Sequence, residues 1–335
     1  MSNDEYLNYS SYFIKNKALF GSYPQQSQVD DLMKKGVVYF IDLTIPGEVF
    51  PTYNTYNKKY LNYPILDRKA PIDNFSFASL ILELKHIIDN LKKAEKIYIH
   101  CRGGHGRAGI VVSCLLYMFN ENISTMDSIL LTTKFHNDRK VMREKWRQIG
   151  SPQTKLQKAF VHKFFGNMIF FRAYKRGPTH GFSNYSFHTI LVPENKFGII
   201  PGKYPSSESI FQSSKIIDVS YSNKQKLSKN PRISKKLSEK IEPRKFWIDN
   251  KCKIMKYIIK LKIEQHPDIK KNLLNTSMKD IIFNSKQDEI FGTGKDNQGK
   301  NILGKIFMDI RNDIYKTKKP IFVCKNENMN MNIKI

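Results

Sequence analysis

Cys101 and Arg107 stand with five residues between them in the stretch Ile99-His100-Cys101-Arg102-Gly103-Gly104-His105-Gly106-Arg107-Ala108-Gly109-Ile110. These types at this spacing suit chemistry on an anion. A strand end (Lys96 to Ile99), a loop with glycines at 103, 104 and 106, and an apolar helix from Ile110 through Tyr117 follow one another. Such a loop gathers unpaired backbone N–H groups at the positive end of a helix dipole, where a phosphate fits. The same groups favour a thiolate, so Cys101 is expected to ionise readily and act as a nucleophile. Arg107 offers a planar fork for two phosphoryl oxygens at once, and the glycines let the backbone approach the anion closely.

The elements around this loop read as alternating strands and helices. Ala18 to Pro24 gives a short strand and turn after a polar, tyrosine-rich arm over 1–16. Val29 to Lys35 predicts a helix stopped by Gly36, and Val37 to Leu43 a buried strand. Tyr60 to Ile65 predicts a further strand, Phe75 to Leu91 a helix, and Ile97 to Ile99 the strand that delivers Cys101 to the carboxyl edge of a sheet. Helices are expected over Ile123–Phe135 and Lys140–Gln148, with a last one opened by Ser151-Pro152.

His-Cys-x5-Arg resembles the signature of the cysteine-dependent protein tyrosine and dual-specificity phosphatases. The resemblance implies an α/β domain, a central sheet flanked by helices, that hydrolyses phosphate monoesters through a phosphocysteine. It implies Cys101 as nucleophile, Arg107 as catalytic, and Arg102, Gly103, Gly104, His105 and Gly106 as substrate-binding. Asp67, in Tyr63-Pro64-Ile65-Leu66-Asp67, lies at the family's usual separation upstream and is the expected general acid and base. Gln153 and Gln157 are both candidates to position the hydrolytic water. Ala108 departs from the pattern, since the family usually has Ser or Thr there to help the thiolate leave, so a phosphoenzyme should break down slowly. The partner implied is a phosphorylated protein, on tyrosine or on serine and threonine. Two other readings stay open: a phosphatase of RNA 5′ ends, drawn by Arg68, Lys69, Arg102 and His105, and a slow-turnover module that captures phosphorylated partners.

Past Phe165 the organisation changes. Met168 to Phe171 reads as a strand and Thr179 to Ser186 as turns. Tyr204-Pro205-Ser206 opens a helix on which Glu208, Phe211, Gln212 and Lys215 form one stripe, a composition suited to a polar pocket. Ser222 to Lys245 is lysine-rich and reads as a mobile surface loop with a short helix. Trp247 precedes an amphipathic helix with Met255, Ile258, Ile259 and Leu261; Ile269 to Leu274 continues in helix, and glycine-spaced 288–304 opens another over Lys305 to Tyr315.

Gly181 to Tyr185, Pro205 through Lys215, and Asp288 through Gly304 with Met308 and Arg311 look like the NADAR (YbiA-like) family in order and spacing. This implies a mainly helical α+β domain that cleaves an N-glycosidic bond, in phosphoribosylated riboflavin precursors or in ADP-ribosylated guanine. Matching positions give Glu208, Asp288 and Trp247, with Lys215 a further catalytic candidate and Asn184 a binding one. A carboxylate from Glu208 or Asp288 would stabilise charge developing on the ribose or activate water. Trp247 would stack the heterocycle, and Lys215 with a depressed pKa would form a Schiff base with the opened sugar. Phe291 stands where members commonly have tryptophan, and Ser209 where histidine is common.

The expected organisation is thus a phosphatase domain over 1–165, a NADAR-like domain over 166–320 and a disordered polar tail over 321–335. A formal net charge of +26 favours anionic substrates and admits an ADP-ribosylated nucleotide or nucleic acid as partner. An AT-biased coding sequence rich in Lys, Asn and Ile accounts for the basicity equally well. The 4 cysteines show neither paired nor metal-ligand spacing, so free thiols, no metal and no cofactor are expected. No apolar run is long enough to cross a bilayer and no basic leader opens the chain, which points to a soluble cytoplasmic protein.

Overall fold

The structure is a computed structural model that describes residues 5–120, 122–173 and 177–325. It divides into two compact units, one of Met1–Gly166 with Tyr315–Ile335 and one of Asn167–Ile314. Residues 315–320, expected with the second domain, therefore belong to the first unit.

In the first unit the strands are β1 (Ser10–Ile14), β2 (Ala18–Ser22), β3 (Val37–Asp42), β4 (Lys59–Asn62) and β5 (Lys96–Cys101). They form one sheet in the order β1-β2-β5-β3-β4, parallel except for antiparallel β1. Ala18, Leu19, Phe20, Ile97, Tyr98 and Ile99 are all fully buried. Parallel strands covered on both faces need such unbroken apolar runs. β1 falls within the segment expected as an arm; its Ser10 and Ser11 are buried against β2, so the segment completes the sheet edge.

Helices α1 (Gln26–Lys34), α2 (Asn74–Asn90), α3 (Arg107–Phe119), α4 (Thr125–Asn137), α5 (Glu144–Ile149) and α6 (Lys155–Phe165) complete this unit. Asp73 caps α2 by accepting from the Phe75 and Ser76 amides, and Ser124 opens α4 with a capping box closed by Asp127. Helix α6 starts later than Ser151-Pro152 predicts. Thr154 is its cap, with Gln157 closing the box, while Ser151 turns its hydroxyl to the His105 carbonyl at 2.6 Å.

The second unit contains β6 (Ile169–Phe171), β7 (Ile190–Val192), β8 (Gly202–Tyr204), α7 (Ser207–Ser213), α8 (Val219–Lys226), α9 (Pro231–Leu237), α10 (Lys245–Gln265), α11 (Pro267–Leu274), β9 (Ile281–Phe283) and α12 (Ile302–Lys316). The last residues of α12, from Tyr315, belong to the first unit. β6 pairs with β9 in parallel and β7 with β8 antiparallel, so the unit is mainly helical. Ile254, Met255, Ile258, Ile259 and Ile263 of α10 carry the core at three- and four-residue steps. Lys262 on the same helix is fully buried, its ammonium donating to the Ser183 carbonyl at 2.8 Å and Ser186 Oγ at 2.6 Å, and burial lowers its pKa to about 7.

Two expectations fail here for instructive reasons. The lysine-rich segment over 222–245 is not a loop but holds most of α8 and all of α9, capped by Asp218 and Asn230. Its inner face is polar: Gln225 donates to Tyr221 Oη and the Ser234 carbonyl, Ser234 to Ser228 Oγ, and Ser222 shares a bond with Ser213. Hydropathy cannot register a core made of hydroxyls and amides that bond to one another. The tail expected to be disordered from 321 is placed through Lys325, where Val323 bridges antiparallel to Tyr60 on the open edge of β4; residues 326–335 lie outside the described ones.

Phe171 stacks on Phe283 at 5.1 Å and meets Phe182 and Phe307 edge-on, with 2% of its surface exposed. Phe171→Ala should cost about 3–5 kcal/mol, confined to the second unit. Urea unfolding read through Trp247 in a Trp146→Phe background checks this, and an unchanged midpoint would refute it.

Candidate active sites

Strand β5 ends at Cys101 and helix α3 begins at Arg107, so the intervening loop is stretched between a sheet edge and a helix N-terminus. Its carbonyls are taken up from outside. The Tyr23 amide reaches the Arg102 carbonyl, Arg139 donates to Gly103 and Gly104, and Ser151 to His105. The amides of residues 103–106 are left with no protein acceptor among the described residues. A ring of outward amides at a helix start is an anion seat. Gly104 sits at φ +69°, and a Cβ there would lie 2.3 Å from the Gly21 backbone, so only glycine fits. A Cβ on Gly106 would meet the Gln157 amide at 2.7 Å.

Arg107 is 1% exposed and richly paired. Nη1 donates to Glu48 Oε2 at 2.6 Å and to the Ile65 carbonyl at 3.0 Å; Nη2 donates to Glu48 Oε1 at 2.6 Å and lies 3.0 Å from Asp67 Oδ1. Its Nε–H has no protein acceptor among the described residues. Burial alone would disfavour the charge, but the Glu48 carboxylate, Cys101 and Asp67 outweigh it and hold Arg107 more firmly protonated than usual. Desolvation likewise pushes Glu48 up, and the two bonds from Arg107 reverse this to leave its carboxyl below the usual range. Asp67 is 58% exposed, on the loop after Pro64, with its carboxylate turned to the arginine.

Next to Cys101, His100 is fully buried and shares a 2.6 Å bond between Nε2 and Tyr53 Oη. Burial drives its pKa to about 4, so the ring is neutral at physiological pH. His105 does not offer its ring to the loop interior. It bonds His136 at 2.7 Å and stacks on Trp146 at 4.5 Å, which makes it part of the scaffold. Arg139, 3% exposed, is a second support that the sequence reading missed, because nothing local marks it as belonging to this loop. Gln157 lies against Gly106 and binds the Lys69 carbonyl at 3.1 Å. Arg102, Arg68 and Lys69 are exposed at the rim, and Ala108 is buried.

In the second unit a cavity of about 570 Å³ is lined by Asn184, Glu208, Gln212 and Asp288, with Phe211 and Phe291 as apolar walls. Arg232, Lys235 and Lys236 of α9 supply cationic groups to the same cavity. Glu208 is 6% exposed and accepts from Gln212 Nε2 at 2.7 Å. Burial raises its carboxyl pKa, the Asp288 charge adds to the rise, and Gln212, Lys235 and Lys215 offset it in part. Asp288 uses Oδ1 to accept from the Ile290 and Phe291 amides at 3.0 and 2.7 Å, fixing the turn while the residue lines the cavity. Asn184 is buried with Oδ1 unpartnered among the described residues.

Lys215 and Trp247 are placed differently from expectation. Helix α7 ends at Ser213, so Lys215 leaves the predicted stripe, and its ammonium turns to Ser238 Oγ at 3.2 Å. Burial lowers its pKa, and the path to the carboxylate is a relay: Ser238 donates to Gln212 Oε1 at 2.6 Å, and Gln212 to Glu208. Trp247 does not line the cavity. It packs behind Phe211 at 5.0 Å and donates Nε1–H to Ser214 Oγ. No helix among the described residues is long and apolar enough to cross a membrane.

Comparison with known proteins separates the same two halves. Residues 8–161 match the family model described as "Swiss Army Knife protein, DSP-PTPase phosphatase domain", and residues 170–315 match the NADAR domain. "Putative tyrosine phosphatase 197R" of Invertebrate iridescent virus 6 is 33% identical over 301 residues, covering 89% of each chain. "Putative tyrosine phosphatase 067L" of Invertebrate iridescent virus 3 is 39% identical over 165 residues, 49% of this chain and 68% of that one. "N-glycosidase YbiA" of Shigella flexneri is 28% identical over 135 residues, 40% of this chain and 80% of that one. A cysteine and an arginine flanking a loop of free amides, a separate carboxylate-lined cavity and these two matches lead to one conclusion: the chain belongs to the family of tyrosine phosphatases in which a dual-specificity-type phosphatase domain is followed by a NADAR domain.

Proposed function

We propose that the first unit hydrolyses phosphate monoesters of phosphorylated protein, on tyrosine or on serine and threonine, through a phosphocysteine. The observation that carries this reading is a set of donors with no acceptor among the described residues in one loop and the helix start it feeds: the amides of residues 103–106 and Arg107 Nε–H. Phosphate would enter there and take Nη2 from Asp67, freeing the carboxyl. Cys101 Sγ attacks phosphorus, the ester P–O bond breaks, and Asp67 gives its proton to the departing oxygen. A water then loses its proton to Asp67 and attacks phosphorus, the P–S bond breaks, and the thiolate and inorganic phosphate result. Glu48 keeps Arg107 charged and aimed during both steps. Gln157, beside Gly106, is better placed than Gln153 to orient that water.

The second unit is read as an N-glycosidase for ADP-ribose or phosphoribosyl-type substrates. Glu208 and Asp288 share the cavity in which an oxocarbenium-like ribose would need a carboxylate, and the α9 cations suit a phosphorylated sugar. Asn184 Oδ1 is a free acceptor for a ribose hydroxyl or a base N–H. Phe211 and Phe291, rather than Trp247, provide the aromatic walls, and Lys215 acts on Glu208 through Ser238 and Gln212.

Four measurements test these assignments. Cys101→Ser should abolish turnover of an aryl phosphate, and Asp67→Asn should lower kcat by about 10²–10⁴-fold with little change in KM. Equal rates in either variant and wild type would exclude the corresponding role. Because Ala108 supplies no hydroxyl to the leaving thiolate, rapid-mixing traces should show a burst of product before a slow steady state; Ala108→Ser should raise the steady rate and shrink the burst. Glu208→Gln should lose release of ADP-ribose from ADP-ribosylated guanosine.

The same variant carries a pH signature. A carboxyl raised in the folded state keeps its proton while the unfolded chain ionises, so Glu208 withdraws stability as pH rises above the free value of about 4.3. Glu208→Gln should therefore melt higher than wild type near neutrality, the two curves converging in acid. Parallel Tm profiles across pH would contradict the burial of that carboxyl.

A further inference from the structure

Lys325 is 5% exposed, although it lies in a polar segment more than two hundred residues after the signature loop. Its ammonium sits 4.2 Å from the ring centroid of Tyr53, 4.6 Å from Tyr60 and 5.7 Å from Tyr23, and donates to Tyr23 Oη at 3.4 Å. Three electron-rich ring faces around one ammonium form a cation cage. Buried Asp42, which accepts from Tyr60 Oη at 2.9 Å, supplies the negative field.

The backbone on either side is tied down as well. The Tyr60 amide donates to the Val323 carbonyl at 2.6 Å and the Val323 amide to the Tyr60 carbonyl at 2.8 Å, which adds a short antiparallel partner to β4. The Lys325 carbonyl accepts from the Thr55 amide at 3.0 Å, and the Lys325 amide donates to Thr55 Oγ1 at 3.0 Å. Tyr53 and Thr55 belong to the connection between β3 and β4, the same connection that carries Glu48 to Arg107. Tyr53 Oη also holds His100, the residue before Cys101. The segment around Lys325 therefore grips a loop that touches the site at two points.

We propose that Lys325 is a positioning residue of the phosphatase site: seated among Tyr23, Tyr53 and Tyr60, it docks the 321–325 segment on β4 and fixes the loop that sets His100 and Glu48 against Cys101 and Arg107. This rests on the phosphatase reading of the first unit. Lys325→Met keeps the apolar stem and removes the cation, Lys325→Arg keeps the cation, and Val323→Pro removes the strand donor without touching the cage.

In the full-length chain, Lys325→Met and Val323→Pro should each lower kcat on an aryl phosphate about tenfold with KM nearly unchanged, because small displacements of supporting groups are felt in the transition state. Lys325→Arg should recover most of the rate. Seating is checked without activity: trypsin should cut after Lys325 slowly in wild type and rapidly in Val323→Pro. Wild-type kcat in both Lys325→Met and Val323→Pro would overturn the positioning role, as would failure of Lys325→Arg to recover the rate. Equally fast cutting in wild type and Val323→Pro would overturn the seating itself. A wild-type chain that does not turn over aryl phosphate would instead remove the phosphatase reading, while the trypsin comparison would still decide the docking.

Discussion

The pairing of Arg107 with Glu48 is the interaction on which the first unit turns. A buried guanidinium without a partner would be too costly to keep, and one fully enclosed by acceptors could not receive a substrate. Its Nη groups donate to both Glu48 carboxylate oxygens and to the Ile65 carbonyl, with Asp67 in an ion pair at 3.0 Å, and Nε–H has no hydrogen-bond acceptor among the described residues. The arginine is thus charged, fixed in orientation and open on one edge. Because Glu48 comes from the connection between β3 and β4, the same pairing ties the strand order of the sheet to the electrostatics of the cysteine loop.

That loop is prepared by atoms drawn from far along the chain. Its carbonyls are held back by Tyr23, Arg139 and Ser151, and the amides of residues 103–106 have no acceptor among the described residues. His105 and His136, both pushed well below the usual histidine range by burial, stay neutral and serve packing against Trp146. The histidine pair therefore adds shape to the support of the loop without adding charge.

The second unit solves a different electrostatic problem. It keeps a carboxyl buried beside a second acidic residue and answers with cations at the cavity wall and a hydrogen-bonded relay behind it. Gln212 is central to this arrangement, since it donates to Glu208 and accepts from Ser238. The same polar packing recurs through α8 and α9, where Gln225 Nε2 donates to Tyr221 and Ser234, and Ser234 donates to Ser228, in place of an apolar core. Lysine-rich outer faces and hydroxyl-rich inner faces together explain how so basic a segment folds.

The sequence by itself determined what local chemistry can encode. The Cys-x5-Arg loop between a strand and a helix, the parallel strands written as unbroken apolar runs, the split into two halves and the carboxylates of the second half are all legible, because each depends on residues near in sequence or on periodicity. Tertiary structure alone decided which distant groups meet. Glu48 on Arg107, Arg139 beneath the loop, Lys215 turned from its expected stripe toward Ser238, Trp247 withdrawn behind Phe211 and Lys325 in its tyrosine cage all follow from long-range packing. A helix that ends two residues early, or a strand edge left open for a tail, changes such contacts completely while leaving the pattern along the chain as it was.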